Sequence, residues 1–272
     1  MPDQDLPGQL DLFVDGAGTA LLHALGEALT VGSPGTARAA LERLRTHDPV
    51  HPDLGALGRL CEVLEPGLPA PASPRAMAAL ARDVATVLLP AAQRLLGDAA
   101  PLALTPVWRR LVEGAGPPRL DTRGETGIAR YWTGVAHYHL GARRPALRLW
   151  LSLAWLDPEA LATWIPQCPD PSVRSAWLAL ERAPAFELPE DDAVTRAQWF
   201  PAWLLLRDRQ VADLFRPDEV PDKEASSAAL RQALALLPLE AGGLSDAVIR
   251  ARRALRAIAP AFFRLYLRTV GR

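Results

Sequence analysis

Five histidines, two cysteines and two runs of carboxylates are the residues of this 272-residue chain best suited to metal binding, nucleophilic attack or acid–base work. His47 and His51 stand four apart with Asp48 and Asp53 beside them. On a helix that spacing would bring both imidazoles to one face, but Pro49 and Pro52 break the stretch, so a polar loop between helices is expected there. His137 and His139 flank Tyr138 and point to different sides of a helix, where ligands would need a spacing of four. Cys61 and Cys168 have no CxxC partner and no histidine at ligand spacing, and read as buried, reduced thiols.

The carboxylates gather in loops, as Glu190, Asp191 and Asp192 and as Asp218, Glu219 and Asp222. An acid–base pair needs environments that push two pKa values apart. Loop runs stay solvated, and Asp191 or Asp192 more simply caps the helix that follows. The chain contains no GxSxG, HExxH, GxxxxGK[ST] or strand-borne GxGxxG pattern, and no glycine between Gly141 and Gly242. No catalytic residue, metal or cofactor is expected from these patterns.

The elements around these residues read as helices. Leu, Ala and Arg dominate, aromatic residues are 6%, and no long Val/Ile/Thr-rich stretch offers material for a sheet. A capping residue followed by proline recurs at Ser33-Pro34, Ser73-Pro74, Thr105-Pro106, Asp157-Pro158 and Asp170-Pro171. Apolar spacings of three and four place helices near 17–31, 35–46, 53–65, 74–96, 106–113, 125–140, 145–156, 158–164, 171–182, 191–206, 226–237 and 245–269. Pro201 and Pro260 should kink or split their helices. The expected organisation is a flexible segment over 1–16, helical hairpins over 17–113 and a helical-repeat region over 114–272, the last two packed as one continuous domain.

An internal repeat sharpens the fold. With Gly32 aligned to Gly141, Ala37 falls on Ala146, Leu41 on Trp150, Leu44 on Leu153, and Asp48-Pro49 on Asp157-Pro158. The segments 18–51 and 127–160 thereby resemble the tetratricopeptide repeat, with its turn glycine, small alanine at the helix crossing, large apolar residue and closing proline. Gly134 and His137 fit the second copy; Arg130 stands in place of the usual early tryptophan, and Leu25 in place of the small residue of the first copy. The resemblance implies an all-α array of antiparallel helical hairpins, or failing that an irregular α-bundle. It also implies that the first helix of the second hairpin presents Tyr131, Val135, Tyr138 and His139 to a peptide groove. Seven of the eight tryptophans lie from Trp132 onward, and most of them suit core filling.

The segment Gln9-Leu10-Asp11-Leu12-Phe13 resembles the short motif by which bacterial replication and repair proteins bind the sliding clamp. That resemblance implies a hydrogen-bonding role for the glutamine and an apolar pocket for the Leu-Phe pair. The competing reading is that Leu10, Leu12 and Phe13 fold back to cap the first hairpin.

Charge adds one more surface. The net charge is −1, so no global field points to nucleic acid or an anionic membrane. Its distribution is uneven, with no Lys or Arg before Arg38 and seven arginines from Ala241 onward against Asp246 alone. Arg250, Arg253 and Arg256 would form a basic face for an acidic partner, or a merely solvated one. The single lysine among thirty basic residues points to GC-rich bacterial codon usage. No signal peptide or apolar membrane span is read, so a cytoplasmic place is expected. The sequence therefore predicts an all-α, non-enzymatic scaffold or adaptor for a protein or peptide partner. The alternatives are a clamp-bound replication or repair accessory, and an enzyme whose site the sequence does not display.

Overall fold

A computed structural model describes residues 12–115, 125–183 and 192–270, and the architecture is all-α, with no strand among the described residues. The chain divides into two compact units, residues 1–71 with 79–114, and residues 72–78 with 115–272.

The first unit holds α1 (Leu12–Thr30), α2 (Pro34–His47), α3 (Leu54–Val63), the end of α4 (Pro74–Asp83), α5 (Leu89–Leu96), α6 (Ala100–Ala103) and α7 (Thr105–Ala115). Between α4 and α5 runs a π-helical turn, Val84–Leu88. The sequence predicts one helix over 74–96. Pro90 cannot donate to the carbonyl four residues back and its ring presses on it, and the wider π turn just ahead accommodates that loss without breaking the rod. Leu25, Leu44, Leu57, Leu88 and Trp108 are buried and form the core of this unit.

The second unit holds α8 (Glu125–His139), α9 (Arg143–Leu156), α10 (Pro158–Trp164), α11 (Pro171–Glu181), α12 (Ala193–Arg207), α13 (Ala225–Ala241), α14 (Asp246–Ile258) and α15 (Pro260–Val270). At its centre is α12, whose run from Trp199 to Leu205 is buried throughout. A helix apolar on all sides must be surrounded, and α9, α10, α11, α13 and α15 pack against it. That enclosure holds Pro201 inside the helix without splitting it, and Pro238 likewise lies within α13, past the expected end at 237. Pro260 does divide its helix, separating α14 from α15.

Three of the five expected caps form in the simple way. Asp157 accepts from the Ala160 amide, Asp170 from Ser172 and Val173, and Ser73 from Ala76. Ser33 instead shares a hydroxyl hydrogen bond with Thr36, and Thr105 is the first residue of α7 and donates back to the Pro101 carbonyl. Asp192 caps α12 through the Val194 and Thr195 amides.

The two aligned segments have the same internal geometry. α1 ends and α2 begins around Gly32 at φ 72°, and α8 ends and α9 begins around Gly141 at φ 76°. Only a residue without Cβ takes that left-handed conformation freely. In both turns the next amide reaches back five residues, Ser33 to Ala28 at 2.8 Å and Ala142 to His137 at 2.9 Å. Both second helices have 14 residues and both end at an aspartate, whose amide bonds Leu44 or Leu153. Ala37 and Ala146 are fully buried, each in the second helix of its hairpin.

Candidate functional site

The α8–α9 hairpin positions the residues that the sequence nominates for a groove. A Cβ placed on Gly134 would collide with the Trp150 indole, 2.7 Å from its Cδ1, and one on Gly127 would collide with the Asp157 carboxylate. Gly127 and Gly134 are seven apart on α8, as Trp150 and Asp157 are along the other strand of the hairpin, so small residues meet large ones in antiparallel register. The Trp150 Nε1 donates to the Tyr131 carbonyl at 3.0 Å, which fixes the ring over the glycine.

Tyr131 and Val135 do not line an open groove. They are 1% and 2% exposed; α9 and α10 pack against α8, and Trp164 of α10 lies against Tyr131. Tyr131 lies 6.0 Å from the Trp164 ring and 5.3 Å from Trp132, and burial pushes its hydroxyl far above the usual phenol range. The resemblance implied an open first helix, and the short helix after Asp157 covers it. Tyr138 and His139 stay half-buried at the end of α8, ring centroids 5.8 Å apart. Burial lowers His139 to about 4, so its imidazole is neutral at pH 7, and burial lowers His137 too. Arg130, at the position of the missing tryptophan, is buried with its guanidinium 3.4 Å from the Ser152 hydroxyl.

Below this hairpin lies a polar knot that the spacing of residues does not reveal. Arg143 at the start of α9 donates to the buried Asp170 carboxylate at 2.7 Å and approaches Asp208 at 3.8 Å. Asp170 and Asp208 each also cap a following turn. The cap signature of Asp170-Pro171 is readable in sequence; its partner 27 residues earlier is not. Cys168 beside it is fully buried, and burial pushes its thiol up to about 12, so it is a neutral thiol at pH 7. Burial raises Cys61 too.

Gln9, Leu10 and Asp11 lie outside the described residues, as do Glu190 and Asp191. Leu12 and Phe13 belong to the backbone of α1, which starts five residues before the expected position 17. Arg250, Arg253 and Arg256 are exposed on α14. Between them Arg252 turns inward at 2.8 Å to Glu240, whose side chain is 6% exposed, and the Tyr266 hydroxyl donates to the same carboxylate at 3.1 Å. That three-way contact ties α13, α14 and α15 together.

Several other chemistry-bearing side chains are engaged structurally. His51 Nδ1 accepts from the Asp53 amide at 3.2 Å, and Arg94 binds the Asp53 carboxylate, holding it below the ordinary aspartate range. The Arg216 amide and Arg148 guanidinium hold Glu219 low in the same way. Asp222 faces Arg231 at 3.8 Å. Among the described residues no three His, Cys, Asp or Glu side chains gather at metal-binding distance, and no helix is long and apolar enough to cross a membrane. Comparison with known proteins finds no matching family model, no similar curated protein and no similar solved structure.

Proposed function

We propose that this chain is a non-enzymatic scaffold or adaptor of a bacterial cytosol, built from tetratricopeptide-like hairpins and working by protein–protein contact. The observation that carries the reading is the duplicated hairpin, with the same turn, length and closing aspartate at an offset of 109 residues, taken as the difference between Gly141 and Gly32. Repetition of a helical module is how chains build extended contact surfaces. The inward use of Tyr131, Cys168 and Glu240 supports the same reading, since these groups serve packing and helix ties. With Tyr131 and Val135 enclosed, contact through this hairpin falls to the half-buried Tyr138 and His139 and to exposed helix faces elsewhere.

The second reading, a replication or repair accessory held on the sliding clamp, rests on Gln9-Leu10-Asp11-Leu12-Phe13. One experiment addresses both. The intact protein, a form lacking residues 1–15 and a Tyr138→Ala/His139→Ala form are used to capture stoichiometric partners, with a purified clamp titrated in parallel. Loss of clamp binding with residues 1–15 alone favours the accessory. A partner lost only on changing Tyr138 and His139 favours the hairpin scaffold. Absence of any stoichiometric protein partner for the intact chain overturns the scaffold.

A further inference from the structure

We propose that the outward arginines of α14 seat the acidic residues 1–11 of a second copy of this chain, in a salt-sensitive, head-to-tail contact. Arg250, Arg253 and Arg256 recur every third residue, so three guanidinium groups are delivered over a helix rise of about 9 Å. All three are exposed, and among the described residues none forms an ion pair. The contrast with Arg252 on the same helix is informative: it is matched by Glu240, whose carboxylate Tyr266 also binds. The inward charge is neutralised within the unit and the helix is fixed by that tie, while the outward charges are left for something else.

The counter-charge is available in the chain itself. Asp3, Asp5 and Asp11 precede α1, and no Lys or Arg occurs before Arg38. Acidic and basic ends of this kind are present in equal number in any solution of the protein. A footprint of about 9 Å is short for a duplex, on which nucleic-acid binders neutralise many phosphates, so a short acidic peptide is the better match. The two surfaces differ, so each contact pairs the tail of one copy with α14 of another.

The test is sedimentation equilibrium of the full chain at low and high salt. The expected result is a weight-average mass that rises with protein concentration at low salt and returns to monomer at high salt. A labelled peptide of residues 1–15 should bind the full chain at low salt and weaken by roughly tenfold or more at high salt. R250E/R253E/R256E should abolish both, and so should D3K/D5K/D11K for the association. Mixed together, the two charge-reversed proteins should associate again, because each tail now faces an opposite charge on the other protein. Circular dichroism confirms that both variants fold. A monomer at every salt concentration overturns the proposal, even if the peptide binds, since that outcome means a contact within one chain. Preferential binding of a DNA fragment to the arginine face without self-association overturns it equally.

Discussion

The Trp150 indole rests on Gly134 and donates its N–H to the carbonyl of Tyr131, so one ring both fills the gap between α8 and α9 and locks their register. Gly134→Ala should therefore destabilise the protein. The helix-propensity gain of about 1 kcal/mol is outweighed by overpacking of about 1–3 kcal/mol, because the added methyl meets a buried, hydrogen-bonded ring that has nowhere to move. Urea unfolding followed by tryptophan fluorescence checks the sign.

Ala146 and Ala37 report on the two hairpins separately. Each is fully buried in the second helix of its pair, and replacement by leucine should cost about 1–3 kcal/mol. Equal losses at the two sites, read from melting curves, are the expected outcome. No change at either site would mean that the small residue is not required there.

The depressed His139 gives a pH dependence with a definite sign. Its folded pKa near 4 lies below the ordinary 6.5, so below pH 6.5 the unfolded chain binds the proton more readily than the folded one. Its contribution is complete above pH 6.5 and is lost as the pH falls through 4. Asp53 and Glu219, held below 3.8 and 4.5, act mainly below about pH 5, which leaves the window above that to histidine. His139→Gln should flatten the decline in urea midpoint between pH 6.5 and 5. His137, also lowered, leaves a smaller residual slope.

Asp170 joins a helix cap to a half-exposed arginine, so its loss removes two things at once. Asp170→Ala should cost about 2–4 kcal/mol, of which about 1 is the cap. A double-mutant cycle with Arg143→Met isolates the ion pair. The expected coupling is about 0.5–3 kcal/mol, and a value of zero would assign the whole loss to the cap.

Helix existence was legible because capping residues, proline and apolar spacing are local signals. The turns after α1 and α8 were legible because Gly32 and Gly141 take a conformation few other residues tolerate. The interior prolines were not, since whether Pro90, Pro201 or Pro238 ends a helix depends on packing around it rather than on the ring alone. The burial of Tyr131 and Val135 was hidden for a related reason: nothing in the pattern of α8 announces that Trp164, thirty or so positions on, packs against it. The Arg143–Asp170 and Arg252–Glu240 ties, each joining separate helices, are likewise visible only in three dimensions.

The two hairpins share a backbone but divide its volume differently. Where α8 gives Gly134 and α9 answers with Trp150, the corresponding places in α1 and α2 hold Leu25 and Leu41. An exchange of helices between them would be poorly tolerated in either direction. Trp150 laid against Leu25 would find no room, and Leu41 laid against Gly134 would leave an empty space and a Tyr131 carbonyl without its indole donor. A chain that repeats a module risks joining the wrong halves while it folds. Here the unequal sizes of two residues in each pair act as a key that lets each first helix accept only its own second.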